Sequence, residues 1–368
     1  MDRRSFLTRI SRLRVIAVLV SALVLIVPSL TVADTLPGEL SDEAFWRLIS
    51  DYSEESVHEF RFEYMSNEQE YLYVINRLKE NRKPGGVYVG VGPEQNFTYI
   101  AAIQPKMAFI VDIRRENMLE HLLYKAVFEL SADRVDFLSR LFARKAATGL
   151  GEKPTARALL QAYRNLPPDP ELYRRNLQAT RDQLIKVHKF QLNAEDQNAL
   201  DYIYRVFVDS GNAFAYLDLM TATDEKGQPR SYLANEENFQ IVREMQKKNL
   251  IVPVIGDFAG SKALRSVGRY VKDHGATVTA FYTSNVEQYL FMQGDDWRKF
   301  LTTVSTFPLD ALSMFIRSSH LWYGDSYTPP RQVAGRRFIQ LLSPMAEVTK
   351  AFNAGKVTSY EALIRMSK

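Results

Sequence analysis

The chain has 368 residues, 46% of them hydrophobic, which allows one large or two small globular domains with a sizeable core and excludes a disordered polymer. It has no cysteine, so disulfides, thiolate metal sites, iron–sulfur clusters and cysteine nucleophiles are excluded. The formal charge of +4 belongs to residues 1–33, which hold five arginines against Asp2; the remaining residues are close to neutral and have no Lys/Arg stripe to draw nucleic acid.

Val15 to Leu30 is an apolar run behind those arginines, followed by Thr31-Val32-Ala33. The pattern predicts a signal peptide cleaved before Asp34, with an uncleaved N-terminal anchor as the alternative, touching the membrane through residues 15–30 alone. Both place the remainder in the periplasm or otherwise outside the cytoplasm. Asp2-Arg3-Arg4-Ser5-Phe6-Leu7 also resembles the twin-arginine export signal, without the usual hydroxyl residue before the arginines or the lysine after Leu7. That resemblance implies folding before export, with any ligand already bound.

Residues 34–83 form an N-terminal helical segment: Phe45, Leu48 and Ile49 follow Ser41 at helical spacing, and Tyr71, Leu72, Ile75 and Leu78 repeat the pattern. Pro84-Gly85-Gly86 breaks it. Val87 to Val91 reads as a buried strand entering a glycine turn, Asn96 to Gln104 as a helix and Met107 to Asp112 as a second buried strand. From Arg114 to about Gly211 the pattern is helical, a large insertion broken at Ser131, at 149–155 and at Pro167-Pro168-Asp169-Pro170. Its stripe of Leu200, Ile203, Tyr204 and Phe207 is capped by Asn193 and ended by Gly211.

Asn212 to Met220 then reads as a strand, Asn238 to Lys248 as a helix, and Leu250 to Asp257 as a strand ending in a glycine-acid turn. Ser261 to His274 reads as a helix and Ala276 to Tyr282 as a strand, with Phe307 to Ser318 and Gln332 to Leu342 as the last helix and strand. The expected fold is α/β: a doubly wound, mostly parallel sheet over residues 84–368 with N-terminal helices and a large helical insertion.

Ligands of such sheets bind beyond the carboxyl ends of the strands. There the sequence assembles Gly90, Gly92, Glu94, Gln95, Asn96, Asp112, Arg114, Arg115, Asp257, Ser284, Asn285 and Glu287. The glycines allow a tight turn and close approach to a ligand, and the next helix offers free N–H groups. Asp112, 20 residues past Gly92, is placed for a ribose hydroxyl pair. Arg114 suits an anionic group, and Asp257 and Glu287 are candidate catalytic bases. Turn formation, helix capping and solvated charge are the competing explanations for each residue taken singly.

Over residues 84 to 290 these segments resemble class I S-adenosylmethionine-dependent methyltransferases, a Rossmann-like family: Gly90 to Gly92 looks like their first motif and Asp112 like the ribose-binding acid. Gly256-Asp257 stands where a later loop approaches the strand ends. The resemblance implies S-adenosylmethionine as cofactor. Tyr88 replaces the usual acid before the turn, and Pro93-Glu94-Gln95 displaces the third small residue. Val89 to Asn96, Ile110 to Asn117, Gly256 to Gly260 and Phe281 to Glu287 are similar to an uncharacterised bacterial family with a methyltransferase-like domain, which implies no reaction.

The five histidines, His58, His121, His188, His274 and His320, show no paired metal spacing, and His121 reads as a packed or surface residue. There is no G-x-S-x-G elbow. Gly256 to Lys262 fails as a phosphate loop because its spacing is short and Ser261 precedes Lys262. Three functions stand: an S-adenosylmethionine-dependent methyltransferase, a non-catalytic envelope protein binding a small molecule or a partner, and a hydrolase or lyase using Asp257 or Glu287. Room for adenosine beside Glu94 and Gln95 would mark the first, and an exposed apolar face on the insertion would mark a partner.

Overall fold

The structure, a computed structural model, describes residues 34–55, 64–68, 70–80, 85–151, 153–320 and 338–367. The expected leader, with its apolar run, and residues 332–337 of the last expected strand lie outside them. No helix among the described residues is long and apolar enough to cross a membrane.

Ser41 starts α1 (Asp42–Tyr52) by accepting a hydrogen bond from the Ala44 N–H, and Phe45 and Ile49 bury the face one turn apart. Tyr71 and Leu72 are buried in a turn that leads into the short α2 (Ile75–Glu80). The continuous apolar runs become β1 (Val87–Gly90) and β2 (Met107–Asp112), every residue of which is buried, joined by α3 (Gln95–Ile103). Burying a side chain such as Phe109 or Ile110 contributes roughly 1.5–3 kcal/mol.

The crossover from β2 begins with α4 (Arg115–Leu130), which packs on β2 and β3, and returns through α10 (Glu236–Lys247). Between them come α5 (Arg134–Leu141), α6 (Ala156–Arg164), α7 (Pro170–Asp182) running into a π-turn, α8 (Ala194–Val208) and α9 (Ser210–Met220). Asp169 caps α7 with Pro170 in its first turn, and Asn193 caps α8 in a reciprocal capping box with Asp196.

The order then runs β3 (Ile251–Ile255), α11 (Ala263–Asp273), β4 (Val278–Ser284), α12 (Val286–Met292), α13 (Asp296–Val304), β5 (Met314–His320), β6 (Phe338–Pro344), α14 (Met345–Asn353) and α15 (Tyr360–Ile364).

The six strands lie in the order β3-β2-β1-β4-β5-β6, parallel except for β6 against β5. Helices α3, α4 and α10 pack together as one group, and α1, α11 and α13 form another; β3, buried along its length, meets both α1 and α4. The chain fills the sheet outward from β1 to β3 and then resumes beside β1 with β4. Its switch point is therefore between β1 and β4, where ligand sites of open sheets occur.

Three expectations are corrected. Asn212–Met220 is part of helix α9, not a strand: Asp209 accepts from the Gly211 and Asn212 N–H groups, and Ala213, Tyr216, Leu217 and Met220 are buried at helical spacing. Gly211 therefore opens α9 and does not end α8. Phe307–Ser318 is not a helix; Asp310 forms a turn, and β5 comes next because Phe315 and Ile316 fill the sheet interior between β4 and β6.

Candidate functional site

At the switch point the crevice is filled from within. Glu68, 3% exposed, accepts hydrogen bonds from Gln95 Nε2 at 2.7 Å, Gln340 Nε2 at 2.5 Å and Ser284 Oγ at 2.5 Å. One carboxylate thus ties the start of α3, the end of β4 and β6. Ser284 holds φ at +50°, the left-handed region that side-chain-bearing residues rarely enter, and the pairing of β4 with β5 shifts register beside it. Asn285 begins α12 without a side-chain cap and lies 3.4 Å from Ser284 Oγ.

The glycine turn is likewise occupied. Asn96, fully buried, donates through Nδ2 to the carbonyls of Val91, Gly92 and Pro93 at 2.9, 3.1 and 2.7 Å, and accepts from the Tyr88 hydroxyl at 2.8 Å. A Cβ on Gly90 would stand 1.9 Å from Asn96 Oδ1, so Gly90 is required by Asn96 itself. Gly92 adopts φ +74°, open to its surroundings. Asp112 is 2% exposed; it accepts from Arg114 Nε and Nη2 at 2.8 Å each and from the Arg114 N–H at 3.0 Å. The groups expected to hold a ribose and an anion therefore hold each other. Arg115 lies apart, paired with Asp196 at 2.6 Å.

Beneath that turn lies a polar group that is not self-satisfied. Glu94 is fully buried; both its oxygens face the Ser66 N–H at 3.2 and 3.3 Å, and burial pushes its carboxyl up to about 7. Glu120 on α4 is fully buried too, and neither of its oxygens has a hydrogen-bond partner among the described residues. Burial, then the nearby Glu94 and Asp112, raise its carboxyl well above the ordinary range against the pull of Arg114. His121 Nε2 lies 2.9 Å from the Gly92 carbonyl, and burial lowers the imidazole to about 4, so the ring is neutral. Since a carbonyl only accepts, Nε2 carries the proton and Nδ1 is a bare acceptor, buried and without a partner among the described residues. Asn117 Nδ2, one helical turn before His121, is unpartnered as well.

The loop after β3 is clasped by Glu54. Its carboxylate accepts from the backbone N–H groups of Asp257, Lys262 and Ala263 at 3.1, 2.7 and 2.9 Å, seated so closely that a Cβ on Gly260 would stand 2.3 Å from it. Asp257 turns inward to the Ala259 N–H at 2.8 Å, and burial raises its carboxyl. Glu287 is paired with Arg317, Nε at 2.5 Å and Nη2 at 3.1 Å, both side chains being 3% exposed or less. A carboxylate committed to a buried guanidinium is poorly placed to take a proton from a substrate.

A groove of about 390 Å³ lined by Leu36, Pro37, Pro105, Met245 and Leu250 opens at the opposite, amino edge of the strands. No group of three or more acids and histidines among the described residues stands where it could hold a metal ion. Among the described residues of the insertion the large exposed apolar side chains are Val187 and Tyr202.

Sequence reasoning missed Glu54, Glu68, Asn117, Glu120, Arg317 and Gln340. For α4 a signal existed: Asn117, Glu120, His121 and Tyr124 recur at helical spacing on a helix whose Leu119, Leu122 and Leu123 are also buried, so its polar stripe faces protein and not water. A family model described as a domain of unknown function, DUF7790, matches residues 63–332. A search of curated proteins finds no match.

Proposed function

Taking as premise that the chain belongs to the DUF7790 family, we propose that it is an exported, non-catalytic small-molecule-binding protein on a methyltransferase-like frame. The carrying observation is the contrast at the carboxyl edge. Asn96 fills the glycine turn and Arg114 takes Asp112, whereas Glu120 and His121 beside them keep buried polar atoms without partners. Buried orphan groups of that kind cost about 1–3 kcal/mol each, a cost that a ligand supplying their partners removes. Export rests on the arginine-led apolar run of residues 1–33. It agrees with a protein that has no need of a cytoplasmic cofactor.

An S-adenosylmethionine-dependent methyltransferase is the alternative, supported by the strand order and by Asp112 at the end of β2. Calorimetric titration of the full-length chain with S-adenosylmethionine and S-adenosylhomocysteine separates the two. No binding of either at millimolar concentration is expected. Tight binding abolished by Asp112→Ala would establish the alternative instead. A fragment screen by ligand-observed NMR tests the positive claim: ligands that Glu120→Gln displaces are expected, and hits all indifferent to Glu120 refute it.

A further inference from the structure

The geometry around His188 requires a proton. The residue closes the π-turn Gln183–Val187 that follows α7, and its side chain is 9% exposed. Its Nδ1 stands 2.8 Å from Asp42 Oδ1 on α1, and its Nε2 stands 2.6 Å from Glu129 Oε2 on α4. Carboxylate oxygens only accept, and a neutral imidazole has one N–H for the two of them. Both contacts are therefore hydrogen bonds only when the ring is an imidazolium. The charges then balance, because Lys125 Nζ lies 2.6 Å from Glu129 Oε1 and two cations face two carboxylates.

The backbone that carries the ring is a high-energy stretch. π-turns are rare, and Lys189, directly after His188, holds φ at +57° in the left-handed region. Contacts reaching across to α1 offset that strain. His188 stacks on Phe190 with ring centres 5.0 Å apart, Phe190 stacks on Trp46 of α1 at 5.1 Å, and Lys125 Nζ lies 5.1 Å from the centre of the Phe45 ring.

We propose that His188 is a proton-operated clasp, which as the imidazolium joins the amino end of α1 to α4 and on losing its proton lets that end of α1 go. Asp42 is the side released. Glu129, 8% exposed, sits deeper and also accepts from Gln183 Nε2 at 2.9 Å, so the one remaining ring N–H stays with it. Asp42 is 34% exposed and turns instead to water and to Asn249 Nδ2, already at 3.0 Å.

The charged groups facing the ring are Asp42 from α1 and Lys125 and Glu129 from α4. Burial pulls the imidazole down, but the bond and charge of Glu129 and the bond to Asp42 outweigh burial and Lys125, leaving the ring above its ordinary 6.5. With the folded value raised, the clasp contributes fully below about pH 6.5 and is lost as pH rises through the folded value. It is shut in acid and opens toward alkali.

Trp46 reports on the clasp from within its own stack. The full-length chain carrying Trp297→Phe and Trp322→Phe keeps Trp46 as its only tryptophan. Its emission is expected to change in one sigmoidal step between about pH 5 and pH 9, with a midpoint above 6.5, and to stay at the alkaline level throughout in His188→Gln. Asp42→Asn, at the partly exposed start of α1, is the second variant should His188→Gln fail to fold. It removes one of the two carboxylates that favour the proton and is expected to move the midpoint to lower pH, which loss of a merely structural contact would not do. Hydrogen exchange of the α1 amides reads the release itself: the parent is expected to exchange more slowly than His188→Gln at about pH 6 and at the same rate at about pH 9. No step in that range, a midpoint below 6.5, a step that survives His188→Gln, a midpoint unmoved by Asp42→Asn, or an exchange difference equal at both pH values would overturn the clasp.

Discussion

Gly90 and Asn96 form a lock whose energetics are measurable. Asn96→Ala removes hydrogen bonds to three loop carbonyls and orphans the buried Tyr88 hydroxyl. The amide has two hydrogens for those three acceptors, so about three net bonds are lost, each worth about 1 kcal/mol, and the vacated space brings the total to about 3–4 kcal/mol. Gly90→Ala puts a Cβ 1.9 Å from Asn96 Oδ1 and 2.8 Å from Tyr88 Cε1; Asn96 must leave and forfeits the same bonds, for a similar cost. Once alanine stands at 96, the main obstacle at 90 is gone and the Tyr88 ring edge remains. The double variant is therefore expected to cost about 1 kcal/mol more than Asn96→Ala alone, a favourable coupling of about 2–3 kcal/mol. Urea unfolding followed by circular dichroism measures all four corners of the cycle. Costs that add to within about 0.5 kcal/mol would refute the claim that Gly90 serves Asn96.

Glu94 carries a pH signature. Its carboxyl is raised to about 7 in the folded chain against the ordinary 4.5, so the folded state holds a proton that the unfolded state releases. The stability this contributes is complete below about pH 4.5 and is lost as pH rises through 7, by up to about 3 kcal/mol. Glu94→Gln should remove that component, raising the melting temperature relative to the parent at about pH 8 and hardly at about pH 4.5; parallel melting curves across that range would contradict it. Glu287→Gln leaves the buried Arg317 without its counter-charge and should cost about 3–5 kcal/mol by chemical denaturation, whereas a cost under about 1 kcal/mol would mean that the pair is structurally idle.

The sheet was legible where burial writes continuous apolar runs, as in Val87–Gly90, Met107–Asp112 and Ile251–Ile255. Asn212–Met220 misled because a short apolar stretch has no period long enough to separate strand from helix; the Asp209 cap decides it. The gathering of polar residues at the carboxyl edge was legible, and their partners were not. A polar residue after a glycine turn looks the same whether it awaits a ligand or, like Asn96, turns back on carbonyls three to five residues away. Glu68 could not be read at all, since Gln340 lies 272 residues further on and no local spacing encodes the pair.

That last distance shapes how the molecule comes together. The carboxyl edge is stitched by contacts between the first and last parts of the described chain: Glu54 to the loop 203 residues later, Glu68 to β6. During synthesis from the amino end, β1, α3 and β2 can meet early, but Glu68 must wait for Gln340 before its carboxylate is fully surrounded. The carboxyl edge is thus the last region to mature, and a nascent or truncated chain lacking β6 would leave the Glu68 carboxyl group without its Gln340 partner at the switch point.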